Sequence, residues 1–381
     1  MPDSSAPSGT RLISGVGTST PAFLGELPGG PSGPTRISSW REFREGFLAA
    51  EKDGAKALKD SFLPAAVEGF FANGGKTCFI VGTAPGRDRV AAYRGSESDS
   101  TGLAGLEYCP EVKIVVVPDL WDSDDAPAIA QAVAQHCVKM GNRMALLHTD
   151  QGLSPTETDE AAAALGITDL LEQQYTAVYY PWVTVKRDDG DPVLAPPSGH
   201  VAGAWARVDA ERGVHKAPTN EALRGGVSLE RELTDDEQGS LNSAGVNCLR
   251  GFPGSGLLVW GARTLSEECD WKYLNVRRLV NYLGDSIRQS TTWAVFEPND
   301  DRLWATIRSS VSQFLTDQWR QGALLGRTPD EAFYVICDES NNPPESVAGG
   351  HVICDIGVAP VRPAEFVHFT ITQIAGQRRK R

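Results

Sequence analysis

The sequence predicts an α/β protein with mixed sheets, and three observations carry that reading. Between residues 77 and 147, short apolar runs alternate with helical periodicity. Thr77–Val81 is strand-like, Ala84–Ser100 is a polar, Gly-rich surface loop, and Val112–Val117 is a buried-type strand. Ile129, Val133, His136, Cys137 and Met140 mark one helix face, and Met144–Leu147 is a further strand. The alternation returns late in the chain. Gly256–Trp260 is an apolar run between glycines, then Tyr273, Val276, Leu279, Val280, Leu283 and Ile287 recur at helical spacing. Thr292–Phe296 is another short apolar run, stopped by Glu297-Pro298, and is expected to be a strand.

The remaining elements follow in order. Arg11–Leu24 is β-prone but broken by Gly15, Gly17 and Pro21, and Gly25–Pro34 is a loop. Ser39 with Glu42 forms a capping box, and Trp40, Phe43 and Phe47 supply the face of the helix behind it. Phe62–Phe71 is a helix closed by Asn73-Gly74-Gly75. A helix is expected near Glu157–Leu165, and Tyr175–Val185 is a strand interrupted by Pro181, hence an edge or a bulge. His200–Glu211 has helical spacing. Leu303, Trp304, Ile307, Val311, Leu315 and Trp319 form one face of a long helix over Asp300–Gln321, with Asn299 offered as N-cap. Phe333–Cys337 and Val352–Val358 are strands, and Glu365–Ile374 alternates as a half-buried strand should.

Composition narrows the function classes. The 381 residues are 41% hydrophobic and 22% charged, ordinary for a folded chain with a sizeable core. A net charge of -13 argues against wholesale nucleic-acid binding, since phosphate contacts rely on cationic patches. The exception is the basic Arg378–Arg381, read as a solvated end. No run approaches the roughly 18 apolar residues of a membrane span, and the opening MPDSSAPSGTRLIS lacks the layout of a secretion signal. Seven cysteines without a CxxC pair fit free thiols in a reducing compartment.

Candidate chemistry is sparse. Gly75-Lys76-Thr77 resembles the end of a phosphate loop, but Phe70 stands where the first glycine belongs. The motif also follows a helix and precedes a strand, the reverse of the required order. The six histidines form no metal-type pair, and Asp188–Asp191 is a poor calcium loop without a distal glutamate. No metal or cofactor is expected. Asp119 and His148, each at a strand end, are the positions where an α/β enzyme would bind a small ligand; structural roles for both are the competing reading.

Three segments of the stretch Leu241–Trp304, VWGARTLS (Val259–Ser266), WKYLNVRRL (Trp271–Leu279) and VFEPND (Val295–Asp300), resemble the C-terminal domain of contractile tail sheath proteins of phages and phage-tail-like injection systems. The resemblance extends over nearly the whole chain, through GVGTSTPAFLG (Gly15–Gly25), ISSWREF (Ile37–Phe43), AVEGFFANGG (Ala66–Gly75), VVVPD (Val115–Asp119), YYPW (Tyr179–Trp182), PPSGHVAG (Pro196–Gly203), RGVHKAPTN (Arg212–Asn220), AFYVICD (Ala332–Asp338) and IGVAPVRPAEFV (Ile356–Val367). Two departures stand out. Only MPDSSAPSGTR precedes the first block, where many members carry a longer arm, and the large outer insertions of bigger phage sheaths are missing.

The resemblance implies a structural polymer and no enzyme. Its subunits would stack as rings around an inner tube, with baseplate and terminator or cap proteins as further partners. They would be made in the cytoplasm of the producing bacterium, with no membrane insertion and no cofactor. The implied protomer has two domains: residues 1–25 and 241–381 form an inner one, with a strand arm at 365–381, and 26–240 form an inserted outer one. Terminal strands would pair between subunits, through Phe366, Val367, Phe369 and Ile371 at one end and Leu12, Ile13 and Val16 at the other. The separated Arg302, Arg308 and Arg320 on the polar side of the Asp300–Gln321 helix are expected to face the tube. A capping or minor paralogue of the same particle is the alternative within the family.

Overall fold

A computed structural model of the chain describes residues 10–27, 33–49, 58, 60–83, 86, 88–186 and 192–365. The acidic loop Asp188–Asp191 and the arm residues Phe366, Val367, Phe369 and Ile371 lie outside the described residues. The strands are β1 (Thr20–Glu26), β2 (Thr35–Ile37), β3 (Cys78–Thr83), β4 (Val112–Val116), β5 (Met144–His148), β6 (Thr176–Tyr180), β7 (Val183–Lys186) and β8 (Pro192–Ala195). They continue with β9 (Glu221–Ala222), β10 (Gly226–Leu229), β11 (Val246–Phe252), β12 (Gly256–Trp260), β13 (Phe333–Ile336) and β14 (Asp355–Val358). The longer helices are α1 (Leu63–Ala72), α2 (Ala126–Met140), α3 (Pro155–Ala164), α4 (Ser198–Arg212), α5 (Asp235–Ser243), α6 (Leu274–Ser290) and α7 (Asp301–Arg320).

The mixed α/β architecture is as expected. The large sheet runs β2-β3-β1-β4-β5-β6-β11-β12-β9. Its centre, β3 to β11, is parallel, while β2, β12 and β9 pair antiparallel at the two edges. Every residue of β4, β5 and β6 is buried, the pattern of parallel strands covered on both faces. Strands β1, β11 and β12, drawn from both of the segments assigned from sequence to the inner domain, pair into this same sheet. A second sheet of three strands runs β10-β7-β8, and β13 and β14 form a two-stranded sheet.

Several local signals act as read. Helix α1 stops in a Schellman turn: Gly75 N–H donates to the Phe70 carbonyl at 3.0 Å and Gly74 N–H to that of Phe71 at 3.3 Å, with Gly74 at φ 113°. That turn uses the glycines of the apparent phosphate loop. Ser39 caps the helix Trp40–Phe43, which continues as a π-helical turn over Arg44–Leu48; Glu42 reaches back to Ser38 rather than to Ser39, so the box is incomplete. Pro181 follows a cis peptide and does not make the edge strand or bulge expected over Tyr175–Val185: it divides that run into β6 and β7, which are interior strands of different sheets. Helices α1 and α4 pack closely because Gly199 and Gly203 face the backbone of Ala66 and Phe70, where a Cβ would collide.

Three readings need correction. Thr292–Phe296 is no strand: Thr292–Ala294 is a 3-10 turn that ends α6, and Phe296, at φ 68°, is fully exposed. A five-residue apolar run has no periodicity that separates a strand from a helix terminator. The polar stretch Ala84–Ser100 contains the helix Arg89–Arg94, capped by the Asp88 side chain. The strand expected over Val352–Val358 begins only at Asp355.

Two large hydrophobic clusters result. One fills the space between the nine-stranded sheet and its helices; the other gathers α6, α7, Ile13 and the β13–β14 hairpin around Val311 and Leu315. Helix α6 joins them and does so with charge. Arg278 makes a bidentate pair with Asp209 of α4 (3.0 and 2.5 Å), both side chains under 5% exposed, while its guanidinium stacks on Trp205. Asp285 pairs with Lys113 of β4 at 2.7 Å, and Arg277 lies between Tyr175 and Trp271. Removing one member of a buried pair strands the other's charge. Asp209→Ala should therefore cost about 3–5 kcal/mol of unfolding free energy in urea, whereas Asp209→Leu combined with Arg278→Met should cost much less.

Candidate assembly surfaces

The N-terminal strip precedes β1 and lies along α6 and α7. Backbone N–H groups of Arg11, Ser14 and Val16 donate to the hydroxyls of Ser310, Ser290 and Ser286 at 2.9, 3.1 and 3.1 Å. Serines at 286 and 290 are one helical turn apart, so a chain in extended form can use them in succession. Gly15 lets the strip approach this closely, since a Cβ there would meet the Tyr282 hydroxyl. Arg11 adds a cation–π contact, 4.1 Å from the Trp293 ring centroid. Of the residues expected to link subunits, Ile13 is buried in the second cluster, Val16 is half-buried and Leu12 is 83% exposed. In this subunit the strip is irregular and side-chain anchored, with Leu12 left facing outward.

The three arginines of α7 do not share a face. Residues 302 and 320 are eighteen apart, about five full turns, whereas 308 lies roughly 120° from either. Arg302 and Arg320 are exposed, the latter paired with Asp317 at 3.2 Å. Arg308 instead turns inward along the hairpin. It donates to the Cys337 carbonyl at 2.8 Å and sits 3.8 Å from Asp338.

The last described residue is anchored. Glu365 accepts from Arg263 through both oxygens (2.8 and 2.6 Å), and Tyr273 and Asn242 donate to it at 3.3 and 3.4 Å. This fork holds the chain beside the β12 end, along a groove of about 360 Å³ lined by Trp260, Gly261 and Pro363. Sequence reading missed the pair, because Arg263 and Glu365 are far apart in the chain. The β13–β14 hairpin packs its inner side on α7, while Tyr334 and Ile336 are 57% and 38% exposed.

The two enzyme candidates are structural. The strand order reverses direction between β1 and β4, the place where open α/β sheets bind ligands. That crevice is filled. Asp119 accepts from the Ser61 hydroxyl at 2.7 Å and the Phe62 N–H at 2.6 Å, capping α1, and Leu63 packs against Gly25. His148 is completely buried against the edge of Trp182; burial pushes its pKa down to about 3, leaving it neutral and out of contact with solvent. Among the described residues, no group of His, Cys, Asp or Glu is arranged to hold a metal, and no helix is long and apolar enough to cross a membrane. The cysteines are free thiols; Cys78, Cys137, Cys248 and Cys337 are buried, whereas Cys269 is exposed.

The described residues form a large parallel-centred sheet, a two-helix module joined to it through α6, and anchored segments at Arg11–Val16 and Glu365. Family models for the phage tail sheath protein central domain and C-terminal domain match residues 97–265 and 266–374, and the chain belongs to the phage tail sheath family. The tail sheath protein of Burkholderia phage BcepMu is 32% identical over 181 residues, 45% of this chain and 37% of that protein. The matched region takes up only a quarter to about a half of the curated relatives' own length. Solved structures match far more completely. The PVC sheath complex of an extracellular contractile injection system, in its contracted state, has a TM-score of 0.79 at 29% identity, covering 98% of this chain and 96% of that one. The contracted helical sheath of the anti-feeding prophage has a TM-score of 0.79 at 27% identity, covering 98% of each.

The Glu365 fork gives a pH-dependent expectation. Burial raises the Glu365 carboxyl, but the hydrogen bonds and charge of Arg263 outweigh it and hold the pKa below the ordinary glutamate value. A lowered folded pKa contributes stability above the unfolded value, about 4.3, and that stability is lost as pH falls through the folded one. Wild type should exceed Glu365→Gln in unfolding free energy at pH 7, with the gap closing as the pH falls below about 4.3. A gap that stays constant with pH would contradict this linkage.

Proposed function

We propose that this chain is the structural subunit of a contractile sheath. It polymerises as stacked rings around an inner tube and shortens to drive that tube through a target envelope. The observation that carries this reading is the near end-to-end likeness to the sheath of an extracellular contractile injection system. The work comes from the free-energy gap between a metastable extended lattice and a contracted one, a rigid-body transition without bound fuel. Baseplate and terminator proteins are the further partners, and assembly occurs in the cytoplasm of the producing cell.

In this proposal the protomer has an inner domain built on α6, α7 and the β13–β14 hairpin, and an outer domain built on the nine-stranded sheet. The division near residue 240 then moves to about residue 265, since β11 and β12 pair with that sheet and the C-terminal family model begins at 266. The hairpin has two free edges among the described residues, and a pair of strands is marginal until more are added. A neighbour's strand through Phe366, Val367, Phe369 and Ile371 would extend it by β-augmentation, a heterologous contact that generates a helical polymer. Leu12 is the candidate contact at the other chain end. Replacing Val367, Phe369 and Ile371 with aspartate should leave a folded, soluble chain that no longer sediments as tubes.

Arg302 and Arg320, on one face of α7, are the proposed tube contacts. The Arg302→Glu, Arg320→Glu variant should retain wild-type stability within about 0.5 kcal/mol, as surface changes do, yet fail to assemble around tube. Normal assembly would remove both residues from the interface. The overall reading is tested by electron microscopy of pelleted material from cells carrying the native gene cluster, with and without this gene. Striated tubes lost on deletion are expected; tubes that persist would make the chain a capping or minor paralogue.

A further inference from the structure

The β13–β14 hairpin holds a pair of facing thiols. Its antiparallel register sets Ile336 opposite Asp355, so the next facing positions are Cys337 and Cys354. Both side chains join the second hydrophobic cluster, Cys337 fully buried and Cys354 partly so, and the two thiols are near enough to perturb each other's ionisation. The backbone on either side of the pair is clamped. Asn341 donates to the Ile336 carbonyl at 2.8 Å and to the Asp355 carboxylate at 3.0 Å. Asn342 donates to the Ile353 carbonyl at 2.9 Å and accepts from the Ile353 N–H at 2.7 Å. Arg308 holds the Cys337 carbonyl from the other side. Facing residues in an antiparallel pair have Cα atoms about 4.5–5.5 Å apart, inside the roughly 4.4–6.8 Å that a disulfide spans.

We propose that Cys337 and Cys354 are a redox pair that closes to a cross-strand disulfide in an oxidising medium, by exchange with a low-molecular-weight disulfide such as oxidised glutathione. Access sets the order of events. The Cys354 thiolate attacks the small disulfide, forming a mixed disulfide and releasing one glutathione thiolate. The Cys337 thiolate then attacks the Cys354 sulfur, forming the protein disulfide and releasing the second glutathione. The two thiol protons pass to the buffer and to the departing glutathiones, so one oxidised glutathione becomes two reduced ones. The interaction between the two thiols lowers the Cys354 pKa and raises that of Cys337, which favours Cys354 as the first nucleophile. The closed pair pins the loop between β13 and β14 and fixes the hairpin whose edges are proposed above to take a neighbour's strand. In a reducing cytoplasm the pair stays open; outside the cell it closes.

The test reads covalent state in the purified, folded, full-length chain, so it stands or falls independently of whether the chain builds a sheath. The protein is incubated with oxidised glutathione, free thiols are alkylated, and intact mass and peptide maps are recorded. Wild type should lose the mass of two hydrogens at this pair and yield a peptide cross-linked between 337 and 354, while the exposed Cys269 takes a glutathione adduct. Protease cleavage inside 338–353 should then leave one chain on a non-reducing gel and two after reduction. Cys337→Ser should stop at a persistent mixed disulfide on Cys354, and Cys354→Ser should leave Cys337 unmodified. The proposal is overturned if both thiols of folded wild type remain alkylatable after Cys269 has reacted. An unresolved adduct on Cys354 in wild type overturns it equally.

Discussion

The structure depends on how helix α6 buries charge. An apolar helix could pack against the sheet and against α7, but with little to define its rotation between two surfaces. The bidentate pair of Arg278 with Asp209 and the pair of Lys113 with Asp285 do define it, since each has one geometry that satisfies its hydrogen bonds. Such pairs give modest net stability, because desolvation offsets much of the attraction. Their geometry ties α6 to β4 and α4, and the N-terminal strip hydrogen-bonds to Ser286 and Ser290 on the same helix. For a subunit proposed to move as a rigid body during contraction, a seam that resists slippage matters more than one that adds a few kcal/mol.

The same seam explains the chain ends. Ser286 and Ser290 of α6 receive the N-terminal strip, and Arg263, shortly before α6, receives Glu365. Arg11–Val16 and Glu365 are therefore held at fixed points around one helix. The hairpin β13–β14 is the complementary feature, a two-stranded sheet whose edges are open among the described residues and which is held in place by Arg308, Asn341 and Asn342.

Much of this was legible along the chain. The periodicity of α2, α4, α6 and α7, the apolar runs of β3 to β6, and the helix stop at Asn73–Gly75 rest on local spacing and local backbone needs, so residues a few positions apart suffice to read them. The errors were local too. Thr292–Phe296 has strand composition, yet α6 runs on to Ser290 and turns the segment into its terminator. The arginines of α7 were treated as one set, but helical phase separates Arg308 from Arg302 and Arg320, and only the hairpin's position shows that Arg308 is engaged. Asp119 and His148 read ambiguously because a strand-end aspartate looks the same whether it meets a ligand or caps a helix.

By itself the sequence determined the α/β class, the longer helices and the central strands in order and, through a dozen short segments in the right succession, the family. Those properties are encoded by patterns within a window of some twenty residues, or by the order of such windows. The tertiary structure alone decided which strands share a sheet, so that β1 and β11 lie with β4 to β6. It also decided which charges meet across α6, how Arg11–Val16 and Glu365 are tethered, and that Cys337 faces Cys354. Each of these depends on contacts between residues distant in the chain, whose geometry is fixed only when the helices and the sheet have closed on one another.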